Sequence, residues 1–379
     1  KLRFKDNNGN DYPQWEKKLI KDILKIYHGK DYKNEPNEKK LYPVLGTGGI
    51  ITYIDKFLCD WECVLIGRKG TINKPQYMKT PFWSVDTLFY SKPKLKQNPK
   101  FQYYLFQNIN WKIYDESTGV PSLSASTIEH INRFIPTYAE QEKIASFFST
   151  IDKKIENLTN TITSLENQKK GLLQQIFSQK LRFKDENGNN YPNWEKKKLG
   201  KLLSITSSKR VHEADWTTSG IPFYRARDIV SIFNNKPISK IYISEKLYEE
   251  CSSSCGKISE NDLLVTGVGT IGIPYLVKKS DKFYFKDGNI IWLKNSPAIY
   301  GKYLFYIFIS SYVQKQINMM TGKGTVGTYT IKNAKDTNIL LPCLEEQTKI
   351  ADFLSEFDRK LDNQKAQLEH WQQIKKGLL

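Results

Sequence analysis

Four histidines, five cysteines and one glycine-rich run are the groups of this 379-residue chain with the types for catalysis or metal binding, and their spacing serves neither. His28, His130, His212 and His370 are scattered, and none stands beside a serine or cysteine nucleophile pattern, so each reads as a surface or capping residue. Cys59 with Cys63, and Cys251 with Cys255, form Cys-x3-Cys pairs, while Cys343 stands alone. Without histidines at ligand spacing these read as reduced, buried thiols, and no metal is expected. The run at 321–327, TGKGTVG, is rich in glycine but lacks the hydroxyl that follows lysine in a phosphate-binding loop. No Gly-x-Gly-x-x-Gly opens a helix after a strand, and nothing resembles the Asn/Asp-Pro-Pro-aromatic motif of base-flipping amino-methyltransferases. No catalytic residue is expected, and the chain reads as a binding protein.

Positive charge is what the chain has in excess. It carries 58 Lys and Arg against 40 Asp and Glu, a formal net charge of +18. Residues 1–139 hold 22 basic and 14 acidic side chains and residues 180–344 hold 25 and 14, whereas 140–179 hold five of each and 345–379 hold six and seven. Excess cations confined to two segments are the electrostatic footprint of a polyphosphate partner; a lysine-rich surface with no partner is the alternative that charge alone leaves open. A hydrophobic content of 39% is ordinary for a globular chain. No apolar run reaches the roughly 18 residues of a membrane span, and no signal peptide opens the chain, so a cytoplasmic protein is expected. Lys1 already lies inside a repeated motif, so a trimmed N-terminus is expected too.

The elements that must position these charges come in duplicate. Residues 2–18 read LRFKDNNGNDYPQWEKK and residues 181–197 read LRFKDENGNNYPNWEKK. Further on, EQEKIASFFSTIDKKIENL from Glu140 returns as EQTKIADFLSEFDRKLDNQ from Glu346. The displacement grows from 179 residues at the first echo to 206 at the second, so a common frame encloses two unequal inserts. After each second echo, apolar residues recur at strict 4-3 spacing: Ile144, Phe148, Ile151, Ile155, Leu158, Ile162 and Leu165, then Leu172 and Ile176 beyond a break at Lys169. The second copy runs Ile350, Leu354, Phe357, Leu361, Leu368, Trp371 and Leu378, broken at Gln364 and Lys375. Such a seam predicts coiled-coil helices, the first opened by Pro136 and a Thr137–Glu140 capping box and about 58 Å long between residues 140 and 178. The two seams most simply pair with each other as a spacer; self-dimerisation is the competing use, and the outer faces could dock a partner's helices.

The inserts read as mixed α/β domains. WEKK runs into a short predicted helix in each, 17–27 and 196–206, and strand-like runs follow at 61–67 and 262–266. Collinear echoes persist: Gly70-Thr71-Ile72 with Pro75 against Gly269-Thr270-Ile271 with Pro274, Tyr104-Leu105-Phe106 against Tyr303-Leu304-Phe305, and Thr118-Gly119 against Thr321-Gly322. The expected organisation is an α/β (mixed α+β) fold with a pseudo-two-fold repeat: domains over 1–136 and 180–342, and long antiparallel helices over 137–179 and 343–379.

Two variable domains alternating with two repeated helices, each opened by EQ-x-KIA and ended by KKGLL, resemble the specificity (S) subunit of a type I restriction–modification system. The WEKK motif, the late Thr-Gly turn and the proline before EQ-x-KIA stand in family order over essentially the whole chain. The resemblance implies two target recognition domains, each reading half of a bipartite double-stranded DNA site, with the helices setting the gap between half-sites. It implies no cofactor in this chain. The partners it implies are two modification subunits that methylate adenine with S-adenosylmethionine and restriction subunits that use ATP and magnesium. One departure is the stop after KKGLL, where the first copy continues QQIFSQ; trimming or disorder is the expected cause.

Lysines would then supply phosphate grip and loop arginines, amides and hydroxyls the base reading. The candidates are Arg68 and Lys69 of IGRKGTI, Lys74, Tyr77, Ser122 and Ser124 in the first domain. In the second they are Lys209, Arg210, Arg225, Arg227, Lys323, Thr325, Thr328 and Tyr329. Arg68 aligns with Gly267, as unlike half-sites would require, while Tyr103, Tyr104 and Phe106 read as core. Two other classes stay open: a fragment of a fused restriction–methylation enzyme, and a coiled-coil scaffold whose basic domains bind RNA or acidic proteins.

Overall fold

The computed structural model describes residues 3–321 and 327–379 and divides into two compact units, Lys1–Asn160 with Lys365–Leu379, and Thr161–Gln364. In the first unit the strands are β1 (Glu16–Leu19), β2 (Leu24–His28), β3 (Tyr42–Gly46), β4 (Gly49–Ile54), β5 (Cys63–Gly67), β6 (Gln76–Met78), β7 (Trp83–Ser84), β8 (Leu88–Pro93) and β9 (Asn132–Ile135). Its helices are the single turn α1 (Ile20–Ile23), α2 (Pro99–Gln107) and α3 (Ala125–Glu129), followed by the 40-residue α4 (Tyr138–Phe177), which continues into the second unit. An antiparallel sheet in the order β2-β8-β5-β6 carries the core, beside a smaller sheet β4-β3-β7 in which β3 and β7 run parallel. The ribbon β1–β9 brings together the start and end of the insert, with Glu16 opposite Ile135.

The second unit repeats the plan. Its strands are β10 (Glu195–Lys198), β11 (Ile205–Thr206), β12 (Trp216–Thr217), β13 (Ile221–Tyr224), β14 (Tyr242–Ile243), β15 (Leu263–Thr266), β16 (Pro274–Leu276), β17 (Tyr284–Phe285), β18 (Ile290–Leu293) and β19 (Asn338–Leu341). They form the antiparallel sheet β11-β18-β15-β16, the sheet β12-β14-β13-β17 and the closing ribbon β10–β19. Its helices are α5 (Ala226–Phe233), α6 (Glu245–Cys255), α7 (Gly301–Ile309), α8 (Ser311–Thr321), α9 (Ile331–Asp336) and α10 (Leu344–Leu378). The main difference lies after the strand that pairs in parallel: β3, beside β7, turns straight back into β4, whereas β13, beside β17, leads into the inserted helix α5.

Strand β5 shows why these runs are apolar without alternation. Val64 and Ile66 point into one core with Phe101, Tyr104 and Phe148, while Cys63 and Leu65 point into another with Phe82 and Leu88. Buried on both faces, the strand has no polar side. In β15, Leu263 and Val265 divide from Leu264 in the same way. The helices predicted over 17–27 and 196–206 are instead mostly strand, with one helical turn at 20–23 and a 3-10 turn at 199–201. Pairing of EKKL and EKKK with β9 and β19 overrides their helix propensity.

Several positions of the echoed motifs make the same contact in both copies. Glu140, in the first turn of α4 and with its side chain fully buried, accepts Arg3 Nε at 3.2 Å and Arg3 Nη2 at 2.8 Å on its two oxygens, and Trp15 Nε1 at 3.0 Å. Glu346 in α10 takes Arg182 at 2.7 and 2.8 Å and Trp194 at 2.7 Å. The Glu140 carboxylate thus fastens the hairpin closed by the Lys5–Asp11 bridge to the start of α4. The next residue ties down the domain itself: Gln141 accepts Asn98 N–H and donates to Pro136, as Gln347 accepts Tyr300 N–H and donates to Pro342. Lys143 and Lys349 donate to the carbonyls of Lys5 and Lys184, and Phe4–Phe147 and Phe183–Phe353 meet edge-on, each pair 5.4 Å apart. The hairpin turns need glycine at Gly9 (φ +85°) and Gly188 (φ +83°), where a side chain would strain the backbone.

The helical seam is shared between helix partner and domain. Ile144, Phe148 and Ile151 are built into the first unit's core, with Trp371 and Ile374 of α10 against it. Ile176 and Phe177 of α4 meet Ile350, Ala351 and Leu354 of α10 in the core of the second, where the helices run in opposite directions. Among the described residues no helix is long and apolar enough to cross a membrane. All five cysteines are free; Cys59 and Cys63 are fully buried, their sulfurs 3.9 Å apart.

Two outcomes are expected. Glu346→Ala strips Arg182 and Trp194 of a shared buried acceptor and should destabilise the chain by about 3 kcal/mol in urea unfolding, against under about 0.5 kcal/mol for exposed Glu195→Ala. Asp6 and Asp185 accept the backbone N–H groups of Asn10 and Asn189, which hold both carboxyls below the usual range. A depressed folded pKa gives stability that is present above the unfolded value and lost as pH falls through the folded one. Amide protection factors at both hairpins, taken relative to the intrinsic exchange rate, should therefore fall below about pH 4, and Asp6→Asn with Asp185→Asn should flatten that dependence.

Candidate nucleic-acid interface

In each unit the loop after the central strand is clamped by the segment that leads to the last short helix. In the first, Leu123 N–H donates to Arg68 carbonyl at 2.9 Å, Gly70 N–H donates to Pro121 carbonyl at 2.8 Å, and Lys69 bridges Ser122. In the second, Tyr329 N–H donates to Gly267 carbonyl at 2.8 Å. Arg68 and Gly267 are therefore equivalent in space as well as in sequence. A Cβ on Gly267 would stand 2.7 Å from the Tyr329 carbonyl oxygen, so only glycine fits there. The equivalent position in the first unit carries a half-exposed arginine that donates to the Asp86 carbonyl at 3.2 Å.

The first unit thus gathers Arg68, Lys69, Ser122 and Ser124 at one rim. Lys69 is exposed, while the Ser124 hydroxyl caps α3 by accepting Thr127 N–H and also donates to Glu116. Lys74 is exposed on the neighbouring turn, in a cleft of about 670 Å³ with Gln107, Lys375 and Lys376. Tyr77 is set apart from this rim. Its ring is covered by Lys100, whose Nζ lies 3.9 Å from the ring centre and also faces Tyr103 and Tyr104, and burial lowers the Lys100 pKa. That face of Tyr77 is closed to a stacking base. Tyr104 and Phe106 are core and Tyr103 packs against it.

The second unit builds a different rim. A cleft of about 730 Å³ is lined by Trp216, Arg225, Arg227, Thr270, Lys286 and Asn289, among others. Arg225 is committed within the fold: its Nε and Nη2 pair with both oxygens of Asp228 at 2.7 and 3.0 Å, Nη2 donates to Ser239 Oγ at 2.8 Å, and the guanidinium lies over Trp216. Arg227, two residues on, is exposed and has no ion pair among the described residues. Lys209 and Arg210 are exposed, Arg210 pairing with Asp287 at 3.1 Å, and Thr328 is exposed at the position matching Ser122. Tyr329 is fully buried with its hydroxyl on Thr337 Oγ1 at 2.6 Å, so it cannot meet a ligand at the surface. Lys323 and Thr325 lie outside the described residues. Sequence reasoning passed over Lys286 and Asn289, which follow β17 and precede β18; only the sheet pairing brings them opposite α5. Among the described residues no group of three or more metal-ligating side chains is present.

These rims are cationic, unlike one another and carried on a repeated frame, which suits a long polyanion better than a small ligand. A family model for the type I restriction modification DNA specificity domain matches residues 12–167 and again 191–370. The chain is 24% identical to the type I restriction enzyme MjaVIII specificity subunit of Methanocaldococcus jannaschii over 426 aligned positions, covering 99% of this chain and 94% of that protein. The structure is similar to that of a type I restriction–modification S subunit from M. genitalium, with a TM-score of 0.64, 18% identity and coverage of 100% of this chain and 96% of the other. It is also similar to a chain from a structure concerned with complex assembly and conformational transition of the type I R-M system, at a TM-score of 0.56, 14% identity and 97% coverage of both.

The two rims differ in what they tolerate. Gly267→Ala is expected to cost about 1–3 kcal/mol of stability, because the added methyl meets backbone rather than a movable side chain. Arg68→Ala at the matching position should leave stability within about 0.5 kcal/mol of the parent. Paired urea titrations of the two variants check both.

Proposed function

The chain belongs to the type I restriction–modification DNA specificity family, and we propose that it acts as the DNA-recognition subunit of such a complex, each domain reading one half of a bipartite duplex site. One observation carries this reading above the rest. Two copies of one frame carry their cations at different places, an arginine at 68 where the second copy admits only glycine, and an arginine-bearing helix α5 where the first copy has a plain hairpin. Identical carriers with unlike readers suit an asymmetric site of two half-sequences.

The chemistry divides by residue type. Exposed lysines such as Lys69, Lys74 and Lys209 grip phosphates, a contact that positions without specifying and weakens with salt. Arg68 and Arg227, with Ser122, Asn289 and Thr328 beside them, have groups able to read base edges, arginine pairing with guanine in the major groove. The long helices set the gap between half-sites and dock two modification subunits. Methyl transfer from S-adenosylmethionine belongs to those subunits, ATP- and magnesium-dependent cleavage to restriction subunits, and the assembly works in the cytoplasm; this chain contributes binding and geometry.

Binding of the full chain with its modification partners should depend on two short sequences a set distance apart. Scrambling either half-site should weaken binding by at least about 10³-fold at moderate salt, and equal binding to scrambled duplex or to RNA would overturn the reading. Inserting one helical turn beside Gly171, about 5.4 Å of helix, should lengthen the preferred gap by one or two base pairs while both half-sites persist.

A further inference from the structure

Two of the polar breaks in the helical seam, Lys169 and Lys375, stand in two matching three-element junctions. In the first unit, Tyr104 of α2 donates its hydroxyl to Asp152 Oδ2 of α4 at 2.7 Å and lies 3.3 Å from Ser149 Oγ. Lys375 of α10 meets Asp152 Oδ1 at 2.7 Å, and its Nζ sits 5.6 Å from the centre of the Tyr104 ring. In the second unit, Tyr306 of α7 donates to Asp358 Oδ2 of α10 at 2.6 Å and lies 3.2 Å from Ser355 Oγ. Lys169 of α4 pairs with Asp358 Oδ1, its Nζ 5.5 Å from the Tyr306 ring centre. The helices exchange roles between the units, and the chemistry is the same. The lysine side chains are only 18% and 17% exposed, and burial raises the pKa of both tyrosines, which keeps each phenol a donor to its carboxylate.

An apolar seam alone is a poor ruler, because knobs of similar size fit neighbouring holes after a slip of one heptad. A half-buried carboxylate with a lysine from the facing helix cannot slip so cheaply: sliding strands the lysine in apolar surroundings and leaves the carboxylate short of a partner. The tyrosine adds a third element, since α2 and α7 belong to the globular domains. We infer that the two Tyr–Asp–Lys junctions are positioning groups that fix the register of α4 against α10 and the seat of each domain on them, and through these the gap between half-sites. The inference rests on the recognition reading above and names the residues that enforce its geometry. Lys169 and Lys375, which interrupt the heptad pattern, are the parts that make it single-valued.

The test is selection by the full chain, with its modification partners, from a pool of duplexes carrying both half-sites at a series of gaps. The parent should enrich one gap. The Lys169→Met, Lys375→Met double variant, which keeps side-chain bulk and loses the charge, should enrich the same half-sites at two or more gaps, its preference for the best gap over its neighbours falling about tenfold. Lys169→Arg with Lys375→Arg, able to pair with the same carboxylates, should restore a single gap, a rescue that general stabilisation would not produce. If the double Met variant does not fold, each single Lys→Met variant retains one junction and must still broaden the gap. Half-sites read normally at an undiminished single gap in the Met variants would overturn this inference alone. A parent indifferent to both half-sites would overturn the recognition reading and this inference with it.

Discussion

A carboxylate sealed from water at the start of each long helix is the contact on which the rest of this molecule is hung. Glu140 and Glu346 have fully buried side chains, and an ionised carboxylate in that position is tolerable only if its oxygens are filled. An arginine fork takes both oxygens and a tryptophan N–H shares one of them, the geometry for which guanidinium is better suited than ammonium. The helix N-terminus adds a favourable dipole. The glutamine that follows binds the backbone just before α2 or α7, so two consecutive side chains fasten hairpin and domain to one helical turn.

With those attachments supplied by the frame, the inserted domains are free to differ. Their central strands β5 and β15 are buried on both faces, which demands apolar residues but says little about loops. The loops then diverge where cations can do different work. Arg68 occupies a place that Gly267 must leave empty, and α5 exists in one unit only. Excess positive charge resides in the inserts and not in the repeated helices, so affinity for a polyanion and the geometry of the carrier are set by separate stretches of chain.

Several residues read differently once neighbours are known. Arg225 and Arg227 have the same side chain two positions apart, yet Asp228 and Ser239 hold the first while the second is exposed on the cleft. Ser124 caps a helix, Tyr329 is core, and Lys100 covers Tyr77. The apparent echo of Tyr104-Leu105-Phe106 in Tyr303-Leu304-Phe305 is three residues out of step: Tyr104 corresponds to Tyr306, because both donate to the aspartate facing a seam lysine. Local similarity among aromatic residues is ambiguous when helices are rich in them, and only the partner decides.

By itself the sequence determined the duplication, the long helices with their apolar seams, the neutral frame and the basic inserts, because period and charge are properties of the chain that need no neighbour. It also carried the EQ-x-KIA and LRFKD motifs as conspicuous repeats. Their meaning, a glutamate joined to an arginine and a tryptophan more than a hundred residues away, was decided only by the tertiary structure, since a buried charge is defined by what surrounds it. The same holds for the seam lysines, which read as defects along one helix and become specific pairs when the second helix and a domain tyrosine are brought against them.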